Sequence, residues 1–273
     1  MENLTENSGR SAEQMKMGFI DIHAHILPGV DDGSRNMEET LGLLRLADIQ
    51  GIKKVVATPH LILGKVEKEA QELLRLTAEV QKEAAKIVPE LQIYPGQEIY
   101  YFDSLTEYLD QGKALTLAGS RYVLIEFSPA VSFRRMEQAV RTLILSGYRP
   151  VLAHVERYAC MKKQEAVNEI VRAGGLLQMN FTSIERHLSG RKAWVETSWC
   201  RRMLLEGRIH FMGTDMHRID YRPPEIEKAL AWLNKKLGED YLSGLLQENP
   251  AKLLEAGTER KDGQQKQQNT KKG

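Results

Sequence analysis

Cysteine is nearly absent: Cys160 and Cys200 are the only two in 273 residues, too few for a disulfide framework or an all-thiolate metal site. A cysteine-dependent phosphatase needs an arginine six positions after its nucleophile, where Cys160 has Ala166 and Cys200 has Glu206. Walker-type glycine loops and a GxSxG elbow are missing as well. No apolar run of about 18 residues is present to span a bilayer. The opening MENLTENSGRSAEQMK lacks the apolar centre of a secretory signal. Charge of one sign is also lacking, since 38 Lys and Arg face 37 Asp and Glu for a formal +1. That excludes a protein built to grip nucleic acid or insert into an anionic membrane. What is present, 42% hydrophobic and 27% charged residues, is the balance of a soluble globular protein, expected in the cytoplasm. Its length suits two small domains or one large α/β barrel.

The two ends differ from the middle. Residues 257–273 carry no aliphatic or aromatic side chain and cannot offset the cost of ordering; they are expected to be a disordered, basic tail. Residues 1–17 form a similarly polar extension, leaving 18–256 as a slightly acidic body. There, short apolar runs at 18–22, 53–58, 91–96, 122–127, 149–153, 175–180 and 208–213 read as strands buried on both faces. Helical spacing separates them at 37–50, 67–88, 134–146, 164–173, 192–206 and 225–237. Asn36 is placed to cap the first of these, with Glu39 in capping-box position. Seven strand–helix alternations without a linker or repeat predict a single domain, a parallel-stranded α/β barrel.

The residues that follow the strands carry the chemistry. His23 and His25 follow the first, with Asp31, Asp32 and Gly33 just beyond; His60 follows the second and Glu98 the third. Glu126 ends the fourth and His154 the fifth, while Asp215 and His217 follow the seventh. In a parallel barrel these C-terminal ends converge on one mouth. Each alone has an ordinary reading: a turn for Asp31–Gly33, a helix cap for Asp215, packing for Glu126. Their recurrence at six strand ends points instead to divalent metal. Imidazole and carboxylate without thiolate suit Mn, Fe, Zn or Co. The nine candidates His23, His25, Asp32, His60, Glu98, Glu126, His154, Asp215 and His217 exceed the need of one ion and fit two or three sharing a bridging carboxylate, in a pocket that attracts an anion. Such clusters acidify a bridging water and clamp both oxygens of a phosphoester.

Arg157 and Arg222 lie on loops over this mouth, where guanidinium groups can grasp phosphate. Arg134, Arg135 and Arg218 are weaker candidates for the same rim. Tyr100, Tyr101 and Tyr158 are candidates for stacking an aromatic substrate. His187 and His210 fall outside the strand-end pattern, and His210 reads as structural.

The segments DIHAHILPGVDDG, ATPH, PGQEIYY, RYVLIEFS, PVLAHVERY and GTDMHRIDYRPP resemble, in order, the motifs of the bacterial capsule-type tyrosine-protein phosphatases. These are manganese-dependent members of the polymerase-and-histidinol-phosphatase (PHP) superfamily. The resemblance implies a distorted TIM-like (β/α)7 barrel and a metal-bridged hydroxide as nucleophile. It assigns one ion to His23, His25, Glu98 and Asp215, a second to Asp32, His60 and His217, and a third to Glu98, Glu126 and His154, with Glu98 as the bridge. It makes Arg157 and Arg222 the phosphate-binding arginines. The implied cofactor is Mn2+, with Fe, Zn or Co as alternatives. The implied partner is the phosphorylated C-terminal tyrosine cluster of a bacterial tyrosine kinase controlling capsule or exopolysaccharide synthesis. The family usually begins close to its first His-x-His motif, whereas this chain has 17 residues before Gly18. The same donor set would serve a small-molecule phosphoesterase such as a histidinol-phosphate phosphatase, and a binding protein could keep the barrel without the chemistry.

Overall fold

The computed structural model describes residues 18–185 and 191–270; the extension expected over 1–17 and His187 lie outside them. All seven apolar runs form parallel strands, and the second and third are each followed, after a two-residue break, by a further short strand. The strands are β1 (Phe19–Ala24), β2 (Ile52–Ala57), β3 (His60–Leu61), β4 (Gln92–Pro95), β5 (Glu98–Tyr100), β6 (Tyr122–Glu126), β7 (Arg149–Leu152), β8 (Leu176–Asn180) and β9 (Phe211–Gly213). The breaks fall at Pro59, which has no N–H to give a ladder, and at Gly96, where a Cβ would come within 2.9 Å of Val56. They split the wall into one sheet ordered β1-β2-β4 and another ordered β3-β5-β6-β7-β8-β9. The ring closes beyond β9, where Asp215 N–H donates to His23 O and His25 N–H donates to Met216 O. The architecture is a distorted (β/α)7 barrel in one domain, as the sequence predicts.

Helices α1 (Met37–Ile49), α2 (Ala70–Ala84), α3 (Leu105–Asp110), α4 (Phe133–Leu145), α5 (Gln164–Arg172), α6 (Arg191–Leu205) and α7 (Glu227–Lys236) follow, with the short α8 (Glu239–Ser243) and α9 (Asn249–Thr270) completing the chain. None among the described residues is long and apolar enough to cross a membrane. Asn36 caps α1 by accepting from Glu39 N–H at 3.0 Å. The Glu39 carboxylate reaches one residue further back than a capping box requires, taking the Arg35 N–H and guanidinium, because the charged fork competes better than the Asn36 amide.

A smaller buried cluster contains Ile20, Ile22, Val56, Leu124, Val151 and Phe211, plugged by Leu253 and Leu254 of α9; strand alternation identifies it as the barrel interior. Alternation alone would send His23 outward, since Ile22 is interior. The register shifts between Asp21 and Ala24, three residues of β1 spanning two of β2, and this bulge resets the phase. His23 and His25 thereby face the mouth.

The boundary expected at 256 falls inside α9. Gly257 is buried, and a Cβ there would overlap the Ala118 carbonyl; Arg260 donates to Ser120 O at 2.8 Å. Exchanging a helical glycine for alanine ordinarily gains about 1 kcal/mol. Here the carbonyl contact reverses the sign: Gly257→Ala is expected to lower stability by about 1–3 kcal/mol, read from the urea unfolding midpoint.

Candidate metal centre

Three of the five imidazoles at the mouth, those of His23, His25 and His217, are oriented from outside by an acceptor. His25 Nδ1 lies 2.8 Å from Asp31 Oδ2, His217 Nδ1 2.8 Å from the Asp215 carbonyl, and His23 Nδ1 3.1 Å from Gln178 Oε1. That amide cannot be turned round, because Oε1 also accepts the His154 N–H at 2.7 Å. In their neutral forms all three rings therefore carry the proton on Nδ1 and aim an Nε2 lone pair inward.

The inward atoms are consequently acceptors facing acceptors. His23 Nε2 and His25 Nε2 are 3.2 Å apart, and Glu98 Oε2 lies 3.2 Å from each of them and from His60 Nδ1. Glu98 Oε2 and His60 Nδ1 are buried without a hydrogen-bond partner. The other Glu98 oxygen is 2.8 Å from His154 Nε2, which is 3.3 Å from Glu126. His217 Nε2 and His60 Nε2 face Asp32 Oδ1 at 3.5 and 3.6 Å, and Asp215 Oδ1 faces both His23 and His25 at 3.5 Å. Lone pairs converge at such distances only around protons or cations. The nitrogen and oxygen donor set fits borderline divalent ions.

All nine candidate ligands come together, in groups of His25, Asp32, His60 and His217; of His23, His25 and Asp215; of His23, Glu98 and His154; and of His60, Glu98 and Glu126. Glu98 belongs to two groups and stands between four imidazoles, the position of a bridge. His60 uses both nitrogens, Nδ1 toward Glu98 and Glu126 and Nε2 toward Asp32.

Carboxylates and imidazoles in the cluster shift one another's titration. Burial would depress His25 and His154, but neighbouring carboxylates outweigh it: Asp31 and Glu98 push His25 well up, and Glu126 and Glu98 bring His154 to about 9. Burial would raise Glu98 and Asp215, yet both stay low, Glu98 through His23 and His154 and Asp215 through His23 and Arg157.

Backbone strain is concentrated here. Among the described residues, four other than glycine have positive φ, and three are His154, Asp215 and Arg222. Such conformations cost about 1–3 kcal/mol each and persist where the surroundings fix them. Gly33 is required for a different reason: a Cβ there would overlap the His25 carbonyl.

Arg157 and Arg222 meet at one oxygen. Asp215 Oδ2 accepts Arg157 Nη2 at 2.5 Å and Arg222 Nη1 at 3.3 Å, and both arginine side chains remain about one-third exposed. The other expected rim residues differ. Arg135 is taken by Asp103 at 2.6 Å, and Arg218 pairs with Asp220 at 3.3 Å. Tyr158 is fully buried, its hydroxyl accepting the Phe127 N–H, so it cannot stack a substrate. Tyr101 packs on Phe127, while Tyr100 is partly exposed. His210 accepts the Leu177 N–H, and burial lowers it to about 4, a structural role. Burial raises both cysteine thiols, away from the thiolate a nucleophile needs.

Sequence reasoning passed over three supporting residues. Asp31, read only as a turn, closes that turn through Gly33 N–H and orients His25 as well. Gln178 and Asn180 come from β8, the strand without a candidate ligand. Gln178 Nε2 donates to Asn180 Oδ1 at 2.8 Å, and Asn180 Nδ2 donates to Asp215 Oδ2 at 2.9 Å. The signal available was two amides at alternate positions in an otherwise apolar strand.

A family profile described as capsular polysaccharide synthesis, CpsB/CapC, matches residues 19–255. The chain is 33% identical to tyrosine-protein phosphatase CpsB of Streptococcus pneumoniae over 86% of its own length and 98% of that protein's. It is 32% identical to tyrosine-protein phosphatase YwqE of Bacillus subtilis, over 86% and 91%. In structure it resembles a chain from the crystal structures of YwqE and CpsB, described as unique metal-dependent tyrosine phosphatases, with TM-score 0.78, 30% identity, and 87% and 94% of the two chains covered. The phosphotriesterase homology protein of Escherichia coli, at 14% identity and TM-score 0.54 over 87% of this chain and 98% of that one, shares the fold.

If Gln178 orients His23 and braces Asp215 through Asn180, its loss should be felt in metal binding. Gln178→Ala is expected to weaken divalent-ion affinity about 10- to 100-fold, measured by calorimetric titration of the chelator-treated protein.

Proposed function

Since the chain belongs to the CpsB/CapC family of capsular polysaccharide synthesis, we propose that it is a metal-dependent protein-tyrosine phosphatase using two or three divalent ions, Mn2+ foremost, in the cytoplasm. Its substrate in this reading is the phosphorylated C-terminal tyrosine cluster of a bacterial tyrosine kinase that controls capsule or exopolysaccharide synthesis. The observation that carries the proposal is the pairing of a dense imidazole–carboxylate cluster with two guanidinium groups converging on Asp215 Oδ2 beside it.

Ions bound in such a cluster would acidify a water and neutralise charge on the phosphate. His23, His25, Glu98 and Asp215 would hold one ion; Asp32, His60 and His217 a second; Glu98, Glu126 and His154 a third. Arg157 and Arg222 would take the phosphate oxygens, two forked cations matching a dianion. Asp215 keeps both forks aimed at the mouth before substrate arrives. Asp31 and Gln178 hold the Nδ1 protons outward, so His25 and His23 present lone pairs without reorganising.

Assay of the chelator-stripped protein on a phosphotyrosine peptide, restoring each divalent ion separately, tests this reading. Activity is expected only with an ion restored and highest with Mn2+; equal turnover without ions would sink it. Turnover of histidinol phosphate above that of the peptide would favour the small-molecule alternative. Arg157→Ala and Arg222→Ala are each expected to cut kcat/KM by about 10²–10³, and Glu98→Ala to cost more because it serves two groups. Cys160→Ser should retain full activity.

A further inference from the structure

We infer that Tyr221 is a specificity-determining residue that selects aryl over alkyl phosphates at the mouth of the site. This rests on the phosphatase reading above. Two tyrosine rings touch candidate ligand imidazoles among the described residues: Tyr158 beside His154 and Tyr221 beside His217. Tyr158 is sealed in the core, whereas Tyr221 is 46% exposed, so Tyr221 is the ring a substrate can meet. Its ring stands edge-on to His217, centroids 6.3 Å apart at 85°.

The ring is fixed in place. Arg218 and Tyr221 exchange backbone hydrogen bonds across a tight turn. Ile219 sits on the bare Cα of Gly42, where a Cβ would come within 2.7 Å of Ile219 Cδ1, and Asp220 pairs with Arg35 of the segment before α1 at 3.3 Å. Arg222 Nη2 donates to the Tyr221 hydroxyl at 3.1 Å, while Nη1 of the same guanidinium reaches Asp215. The group expected to hold phosphate and the exposed aromatic surface are therefore in direct contact, the Arg222 guanidinium carbon 5.0 Å from the ring centroid. A phosphate held by Arg222 puts its ester substituent beside Tyr221, where a phenyl ring gains an aromatic contact and a short alkyl chain gains little.

Titration of the Mn2+-loaded protein with phenylphosphonate and methylphosphonate tests this without turnover. Wild type is expected to prefer phenylphosphonate. Tyr221→Ala should weaken phenylphosphonate about three- to tenfold and methylphosphonate much less. Tyr221→Leu, which keeps the bulk without the ring, should behave likewise, and Tyr221→Phe should keep the preference. Ion content measured alongside confirms an intact centre. Equal weakening of both ligands in Tyr221→Ala, or no change in either, would overturn the inference. Wild type that shows the preference but leaves a phosphotyrosine peptide intact would refute the phosphatase reading while supporting the selectivity assigned to Tyr221.

Discussion

Glu98 is a carboxylate placed among four imidazoles whose nearest nitrogens cannot all donate to it. With the Nδ1 protons of His23 and His25 committed to Gln178 and Asp31, their inward lone pairs oppose one another and Glu98 Oε2 across 3.2 Å. An arrangement of acceptors this dense is stable only when positive charge lies among them, as protons or as divalent ions. The neighbouring carboxylates accordingly raise His25 and His154, the same pull that would draw in a divalent ion. The rest of the structure keeps these groups in place against their mutual repulsion.

The barrel's closure does part of that work. The backbone bonds that join the first strand to the segment after the ninth involve His23, His25, Asp215 and Met216, so three residues of the barrel seam are also candidate ligands. Asp21 reinforces the seam, accepting from Thr214 N–H at 3.1 Å and from its hydroxyl at 2.5 Å. The left-handed backbone at Asp215 is held by these bonds, and that at His154 by its N–H on Gln178 Oε1 and its carbonyl on Arg157 N–H. A barrel wall without a ligand at every strand also has a use. The eighth strand contributes two amides in place of a donor, and they tie His23, His154 and Asp215 into one network.

Arg157 and Arg222 share the same economy of placement. Two guanidinium groups would repel at close range, but one oxygen of Asp215 draws both in, while its other oxygen faces the imidazoles. Asp215 thus joins the imidazole cluster to the two guanidinium groups at the mouth. The turn that follows, held by Ile219 on Gly42 and by Asp220 on Arg35, fixes Arg222 and Tyr221 relative to that carboxylate.

The parallel barrel, its seven apolar runs and the convergence of nine donor side chains are legible from residue order, because donor identity and strand-end position are local properties. His23, Glu98 and Asp215 could be named from chain position alone, since parallel strands must bring their C-terminal ends to one mouth. Packing and phase were decided only in the tertiary structure. Asp31 reads locally as a turn, and its second duty on His25 exists only once the chain doubles back. Tyr158 and Tyr221 are equally aromatic in sequence, yet one is enclosed beneath the Phe127 segment and the other stands at the mouth. The bulge that turns His23 inward depends on the neighbouring strand's register. The start of the polar tail continues as helix because Gly257 meets the Ala118 turn, a contact between residues far apart in the chain that no local pattern records.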